Sequence, residues 1–295
     1  MFAKPFVKWV GGKTQLLPEL RLRYPKIVKK YCEPFVGGGA VLFDILNHFN
    51  PEEVLINDIN SELINCYQQI KINIENLIKI LKSFQSEYLT YTIDKRKTYY
   101  LKQRHNYNDL NNNFSKKYLV LKAALFIFLN KTCFNGLYRV NSKGLFNVPF
   151  NNAVNPTICD EENLIACSKA LKNVELKVGD YKQCSSFIDE NTFLYLDPPY
   201  RPLTISSSFT SYSKDGFDDA KQIELGKFII NMNNRGAFII ASNSDPKNID
   251  ETDNFFDDLY KSFKISRINA LRMINSNSKK RGAISELLIS NTSVM

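Results

Sequence analysis

The stretch LYLDPPYR, residues 194 to 201, concentrates the chemistry of this chain. Four mostly apolar residues read as a buried strand. Asp197 stands at its carboxyl end, where open α/β sheets bind their ligands. Two prolines follow, and neither has an N–H to donate. Their carbonyls are therefore expected as acceptors in a stiff loop. Tyr200 adds an aromatic face. A carboxylate, a fixed carbonyl and a ring together suit a planar group that bears an NH2. The same letters also fit a helix start, with Asp197 as N-cap and the prolines in the first turn.

Two glycine clusters lie upstream. KWVGGKTQLL, residues 8 to 17, ends its glycine pair in GGKT like a phosphate-binding P-loop. That pattern needs a glycine where Val7 stands, and a full buried strand before it. Only Phe6, Val7 and Trp9 precede the pair, so nucleotide hydrolysis is not expected. In EPFVGGGAV, Gly37 and Gly39 match the first two glycines of G-x-G-x-x-G, but Leu42 replaces the third. A dinucleotide is thereby disfavoured. Asp58 ends the next apolar run, about 20 residues on, where an acid accepts from ribose hydroxyls. Its plainer reading is the N-cap of the following helix.

The elements that must position these residues follow from periodicity. KKYCEPFVGGGAVLFDIL is expected to give a short strand, a glycine turn and a helix, EEVLINDIN a second strand ending in Asp58, and NVELKVGD, TFLYLDPPY and GAFIIASNSD further strands. That order marks a Rossmann-like, doubly wound α/β fold. From Ser61 to about Asn130 the apolar spacing is helical, and a loop is expected within the charged, Asn-rich IDKRKTYYLKQRHNYNDLNNNFSKK. LYRVNSKGLFNVPF reads as a β-hairpin turning at NSKG. FKISRINALRMI and AISELLISN read as a closing antiparallel pair around the basic loop NSNSKKRG. The expected division is a catalytic domain of residues 1–59 and 154–295, interrupted by a mostly helical insertion, 60–153, with its hairpin near 133–150.

Composition narrows the classes. The 295 residues carry a formal charge of +9, which favours a polyanionic partner. Six scattered cysteines without C-x-x-C, and only two histidines, speak against a zinc site or a disulfide frame. No metal is expected. There is no signal-peptide stretch at the start, and the longest apolar run, YLVLKAALFIFL, is broken by Lys122 and too short to span a bilayer. It reads as a buried helix in a protein of the reducing cytoplasm.

DPPY after a strand, EPFVGGG and KWVGGK upstream, and NDINSELI, FNGLYRVNSKGLFNVPF, SFTSYSKDGFDDAKQIEL, ASNSD and SELLISN in order make the chain resemble the Dam-type, class alpha, DNA adenine-N6 methyltransferases. The resemblance covers nearly the whole length. It implies S-adenosylmethionine as cofactor, touched by Trp9, Lys13, Phe35, Gly37, Gly39, Asp58, Asp180 and Asp197, with Tyr181 nearby. The alternatives are a core aromatic for Trp9 and a solvated surface lysine for Lys13. The resemblance makes Asp197, Pro198, Pro199 and Tyr200 the catalytic loop acting on an adenine flipped from double-stranded DNA. It gives DNA contacts to Lys8, Phe134, Asn135, Leu137, Arg139 and Pro149, with Lys143 and the KKR at 279 to 281 neutralising phosphates. Arg139 would read guanine, and GATC is the favoured target. Phe134 stands where the family often has tyrosine. The family suggests a monomer. Rival readings are a methyltransferase for RNA or protein glutamine, the same enzyme class with another target site, or an inactive DNA-binding regulator.

Overall fold

A computed structural model describes residues 2–110, 118–201, 217–271 and 283–291. The basic KKR at 279 to 281, and all of the expected NSNSKKRG loop, lie outside them. Seven strands form one sheet in the order β3-β2-β1-β4-β5-β7-β6. They are β1 (Lys30–Glu33), β2 (Glu53–Asp58), β3 (Val174–Val178), β4 (Thr192–Leu196), β5 (Phe238–Ser244), β6 (Lys264–Leu271) and β7 (Ala283–Ser290). β1 pairs in parallel with β2 and β4, and β4 with β5, in the register Cys32↔Leu55, Cys32↔Leu194 and Leu194↔Ile239. β7 is antiparallel to β6, as the sequence pattern predicts, and also to β5. The strand order reverses between β1 and β4, which places the ligand crevice of such a sheet at their carboxyl ends.

The chain folds as two compact units. One comprises Lys13–Val36, Phe49–Ile56 and Asp180–Met295. Here all five residues of β4, TFLYL, are buried, as a strand covered on both faces must be. Leu194, Leu196 and Ile239 pack with Leu225, Ile229 and Met232 of a long helix (Asp219–Asn234) and with Phe256 and Tyr260 around a short one (Phe255–Leu259). The long helix starts because the Asp218 carboxylate accepts from the Lys221 N–H, 2.9 Å.

The other unit comprises Met1–Gly12, Gly37–His48 and Asn57–Gly179. Its helices are α2 (Ala40–His48), α3 (Ser61–Ile72), α4 (Ile74–Thr90), α5 (Ile93–Asp109), α6 (Leu119–Thr132) and α7 (Glu161–Ala170). The apolar run is indeed a buried helix, α6, and its Lys122 is tolerated because the ammonium meets Glu62 of α3 at 2.7 Å. Of the stretch expected to hold a loop, Ile93–Asp109 is helical, and residues 111–117 lie outside the described set. The hydropathy of this helix is low because the buried face is made of Tyr99, Tyr100 and Tyr107, whose rings pack while their hydroxyls lower the average, and of Gln103.

The hairpin forms only in part. Val140↔Phe146 and Cys133↔Phe150 are isolated antiparallel bridges, not a ladder. Side chains of α5 take the main-chain bonds that a second strand would. Asn108 accepts from the Phe146 N–H at 2.8 Å and donates to its carbonyl at 3.1 Å, and the Tyr100 hydroxyl donates to the Val148 carbonyl at 2.7 Å.

The same device fixes the extended segment before the first glycine pair. Asn47, Asn163 and Asn130 each bond both main-chain groups of one residue, Ala3, Lys4 and Lys8 respectively, at 2.9–3.1 Å. Each amide imitates a strand partner for one residue. Asn130, buried in α6, also donates to the Gly136 carbonyl at 2.8 Å. Replacing Asn130 with Leu removes three such bonds from one side chain. The expected loss is about 1–3 kcal/mol, read as a lowered midpoint in urea unfolding.

Candidate active site

Each unit carries one constellation. In the first, Asp197 follows β4 at the strand's carboxyl end. The Lys13 ammonium donates to Oδ2 at 2.8 Å and lies 2.8 Å from Oδ1. Lys13 is 4% exposed, so the surface-lysine reading of this residue is wrong: an ammonium so buried must sit against an opposite charge. It opens a short 3-10 helix, Lys13–Leu16, rather than following a strand, and so lacks P-loop geometry. Ser242 of β5 donates to Asp197 Oδ1 at 2.9 Å. The carboxylate is thus held from two sides.

No helix starts at Asp197 among the described residues, so the capping reading of DPPY fails. The expectation of two available proline carbonyls also needs correction. The buried Gln222 amide donates to the Pro199 carbonyl at 3.1 Å, and only that of Pro198 lacks a donor among the described residues. Tyr200 lies under the Lys13 ammonium, 4.8 Å from ring centroid to Nζ, and its hydroxyl donates to Glu286 at 2.8 Å. Burial, with Asp197 and Glu286 nearby, pushes that phenol well above its ordinary value, so it stays a donor. Arg201 clamps the loop's far end, bidentate to Asp219 at 2.6 and 3.0 Å and bonded to Asp253. Phe35, half-buried after β1, packs on Tyr181 with ring centroids 5.3 Å apart. Asp180 is exposed and caps a 3-10 turn through the Lys182 N–H, 2.8 Å.

The second constellation surrounds the glycine loop. Gly37 and Gly39 have φ of +48° and +75°, a region that favours glycine. A Cβ on Gly37 would stand 2.7 Å from Trp9 Cδ1, so the loop's bareness makes room for the indole. Trp9 is half-buried, stacked 6.1 Å from Tyr138 and 6.4 Å from Phe126. Asp58 accepts from the Gly37 N–H at 3.0 Å and from the Asn60 N–H at 2.9 Å. It does not cap α3; Asn60 does, taking the N–H groups of Glu62 and Leu63. Burial raises the Asp58 carboxyl above its ordinary value, against the lowering effect of N–H donors from Asn60, Gly37 and Ile59. Tyr67 completes the loop by donating to the Gly37 carbonyl at 3.0 Å.

In the same unit, the residues expected to meet DNA cluster at the partial hairpin. Phe134 is 52% exposed, a large apolar ring in water. It is presented by a tight turn in which Asn135 and Gly136 have φ of +55° and +64°. A side chain on Gly136 would strike Lys8 Cβ at 2.6 Å, and the Pro149 carbonyl accepts from the Phe134 N–H at 2.8 Å. The Leu137 carbonyl accepts from the Cys133 thiol at 3.3 Å. Arg139 is exposed and donates to Asn147 across the hairpin, 2.8 and 3.3 Å. Lys8 and Lys143 are exposed.

Sequence reasoning missed Ser242, Gln222, Asn243 and Glu286 as supports of the loop, and Asn130 and Tyr67 around the glycines. The first four lie in stretches already quoted as motifs, DAKQIEL, ASNSD and SELLISN, but letters alone gave them no role. All six cysteines are buried and free. No described helix is long and apolar enough to cross a membrane.

The mostly parallel seven-stranded sheet, its order reversing between β1 and β4, is a Rossmann-like α/β fold. The chain belongs to the D12 class N6 adenine-specific DNA methyltransferases, whose family model matches residues 9–274, and is an adenine-specific DNA methyltransferase. Type II methyltransferase M.MjaIII of Methanocaldococcus jannaschii is 47% identical over 297 residues, 99% of this chain and 100% of that protein. Type II methyltransferase M1.LlaDCHI of Lactococcus lactis subsp. cremoris is 39% identical, covering 98% and 95%. A DNA adenine methylase of Haemophilus influenzae is 33% identical, covering 97% and 92%.

The Arg201 clamp carries a pH signature. Its hydrogen bonds to Asp219 hold that carboxyl below its ordinary value. A lowered carboxyl stabilises the fold above its unfolded pKa, about 3.9, and loses that contribution as pH falls through the lowered value. The Tm advantage of the native chain over Arg201→Met is therefore expected in full at pH 7 and to shrink as the pH falls below about 3.9, measured by thermal scans across that range.

Proposed function

We propose that the chain transfers a methyl group from S-adenosylmethionine to N6 of an adenine flipped out of duplex DNA, within GATC. The observation that carries the reading is the Asp197 carboxylate, held by Lys13 and Ser242, next to the Pro198 carbonyl, which has no donor among the described residues, and to the Tyr200 ring. Two acceptors and a ring face match the NH2 and the plane of a purine. Hydrogen bonds from the amino group to Asp197 and Pro198 favour a pyramidal nitrogen, whose lone pair is then free of the ring. The Tyr200 ring stacks on the base. The loop contributes positioning, and acceptors aimed where positive charge develops on nitrogen. The proton passes to Asp197 or to water.

The residues present fit the cofactor. The glycine loop keeps its backbone bare at Gly37 and Gly39, and both Asp58 oxygens retain acceptor capacity for ribose hydroxyls beside their N–H bonds. When bound, S-adenosylmethionine supplies an electrophilic methyl on a sulfonium sulfur. The family resemblance assigns Trp9, Lys13, Phe35, Gly37, Gly39, Asp58, Asp180 and Asp197 to the cofactor.

Residues 60–153 form the target-recognition insertion, and 1–59 with 154–295 the catalytic part. The exposed Phe134 ring serves as a wedge beside the extruded base, with Asn135, Leu137 and Pro149 lining its turn. Arg139 has N–H groups beyond those given to Asn147, enough for guanine O6 and N7. Lys8 and Lys143 meet phosphates. The chain acts as a monomer in the cytoplasm, where its six buried thiols stay reduced.

Replacing Asp197 with Ala is expected to lower methyl transfer by on the order of 100-fold or more, measured with labelled S-adenosylmethionine and duplex DNA on protein whose circular dichroism shows it folded. Near-normal transfer refutes the assignment. DNA from cells expressing the chain should resist a methylation-blocked GATC endonuclease. If its GATC sites stay unmodified while other adenines carry the mark, the target is another site and the enzyme class stands.

A further inference from the structure

Tyr200 is anchored at both ends, and the two anchors meet. At the ring's far end, its hydroxyl donates to Glu286 Oε2 at 2.8 Å. At its main-chain end, the preceding carbonyl of Pro199 accepts from the Gln222 amide at 3.1 Å. Gln222 is fully buried, and its own carbonyl accepts from Asn243 at 3.1 Å; Asn243 in turn accepts from the Ser244 N–H at 2.9 Å. Ser244 of β5 stands opposite Glu286 of β7 in the sheet register. Both anchors therefore end on one rung of the sheet.

Buried amides are expensive unless their groups are matched, and each of these is spent on the next. Such a chain costs stability compared with a well-packed apolar core. Its effect is to freeze the ψ rotation of Pro199 and the tilt of the following ring. We propose that Glu286 and the Gln222–Asn243 pair are positioning residues that preset the Tyr200 ring as a stacking platform before the target base arrives. This rests on the reading that Tyr200 stacks on that base. A ring fixed in advance loses no rotational freedom when the base lands on it, so the gain falls on productive base capture.

Two double-substitution cycles test the clamp on kcat/KM for target duplex, with the Kd for S-adenosylmethionine as the folding control. Glu286→Leu and Tyr200→Phe should each lower kcat/KM about tenfold, the worth of one hydrogen bond to a charged group, and the pair should lose no more than either alone. Glu286→Gln, which still accepts from the phenol, should recover most of the loss. Gln222→Met and Asn243→Ala should likewise fail to add, because Asn243 acts through Gln222. Where Glu286→Leu does not fold, Glu286→Ala takes its place. Multiplying losses in either cycle, or Glu286→Gln as poor as Glu286→Leu, overturns the proposal. Tyr200→Ala separates the two readings: full activity there removes stacking itself, whereas inactive Tyr200→Ala with additive cycles removes only the clamp.

Discussion

The buried ion pair between Lys13 and Asp197 is the constraint on which the catalytic loop depends. An ammonium that is 4% exposed costs several kcal/mol to desolvate, and its carboxylate partner, 184 residues away, offsets that only in one geometry. The pair therefore pins the segment after the first glycine pair to the end of β4. Ser242 occupies one of the remaining lone pairs of Asp197, and the Tyr200 ring lies under the ammonium. Remove either charge and the other loses its ion-pair partner in a largely desolvated place. A merely capping aspartate would create no such dependence.

Side-chain amides do the work of missing strands elsewhere in the molecule. The segment from Ala3 to Lys8 has one asparagine at each of three residues, and the second arm of the hairpin has Asn108. An amide side chain presents a donor and an acceptor with the spacing of a peptide, so it can satisfy irregular backbone without a ladder. Irregular backbone is what these places need. One carries Trp9 to the glycine loop, and the other presents Phe134 and Arg139 to solvent. The Gln222–Asn243 pair extends the device to the catalytic loop itself, where proline has no N–H to help.

Different elements were legible to different degrees, for identifiable reasons. β4 and β5 are short apolar runs ended by polar residues, and their burial follows from that pattern alone. α5 was legible only as part of a helical stretch and its bounds were not, because its buried face is mostly tyrosine and its average hydropathy is that of a loop. The hairpin was half legible. NSKG does turn, but whether its arms pair with each other or with α5 depends on Asn108, which lies 38 residues from Phe146 in sequence. At the site, Asp197 and Tyr200 stood out by type and spacing, whereas Trp9 and Lys13 were singled out by the family resemblance of KWVGGK. The polar groups that hold them did not, since glutamine in a helix and serine in a strand carry no local signal.

The sequence by itself determined the kinds of element, their order, and the set of groups available for chemistry. These depend on local periodicity, on proline's missing N–H and on the left-handed freedom of glycine, all of which are properties of neighbouring residues. Tertiary structure alone decided which charge neutralises which, that Asp58 ties the glycine loop while Asn60 caps the helix, and that one proline carbonyl is occupied while the other is open. Those outcomes are set by burial. A polar group taken from water accepts whichever partner the fold brings within about 3 Å, and sequence separation does not enter that choice.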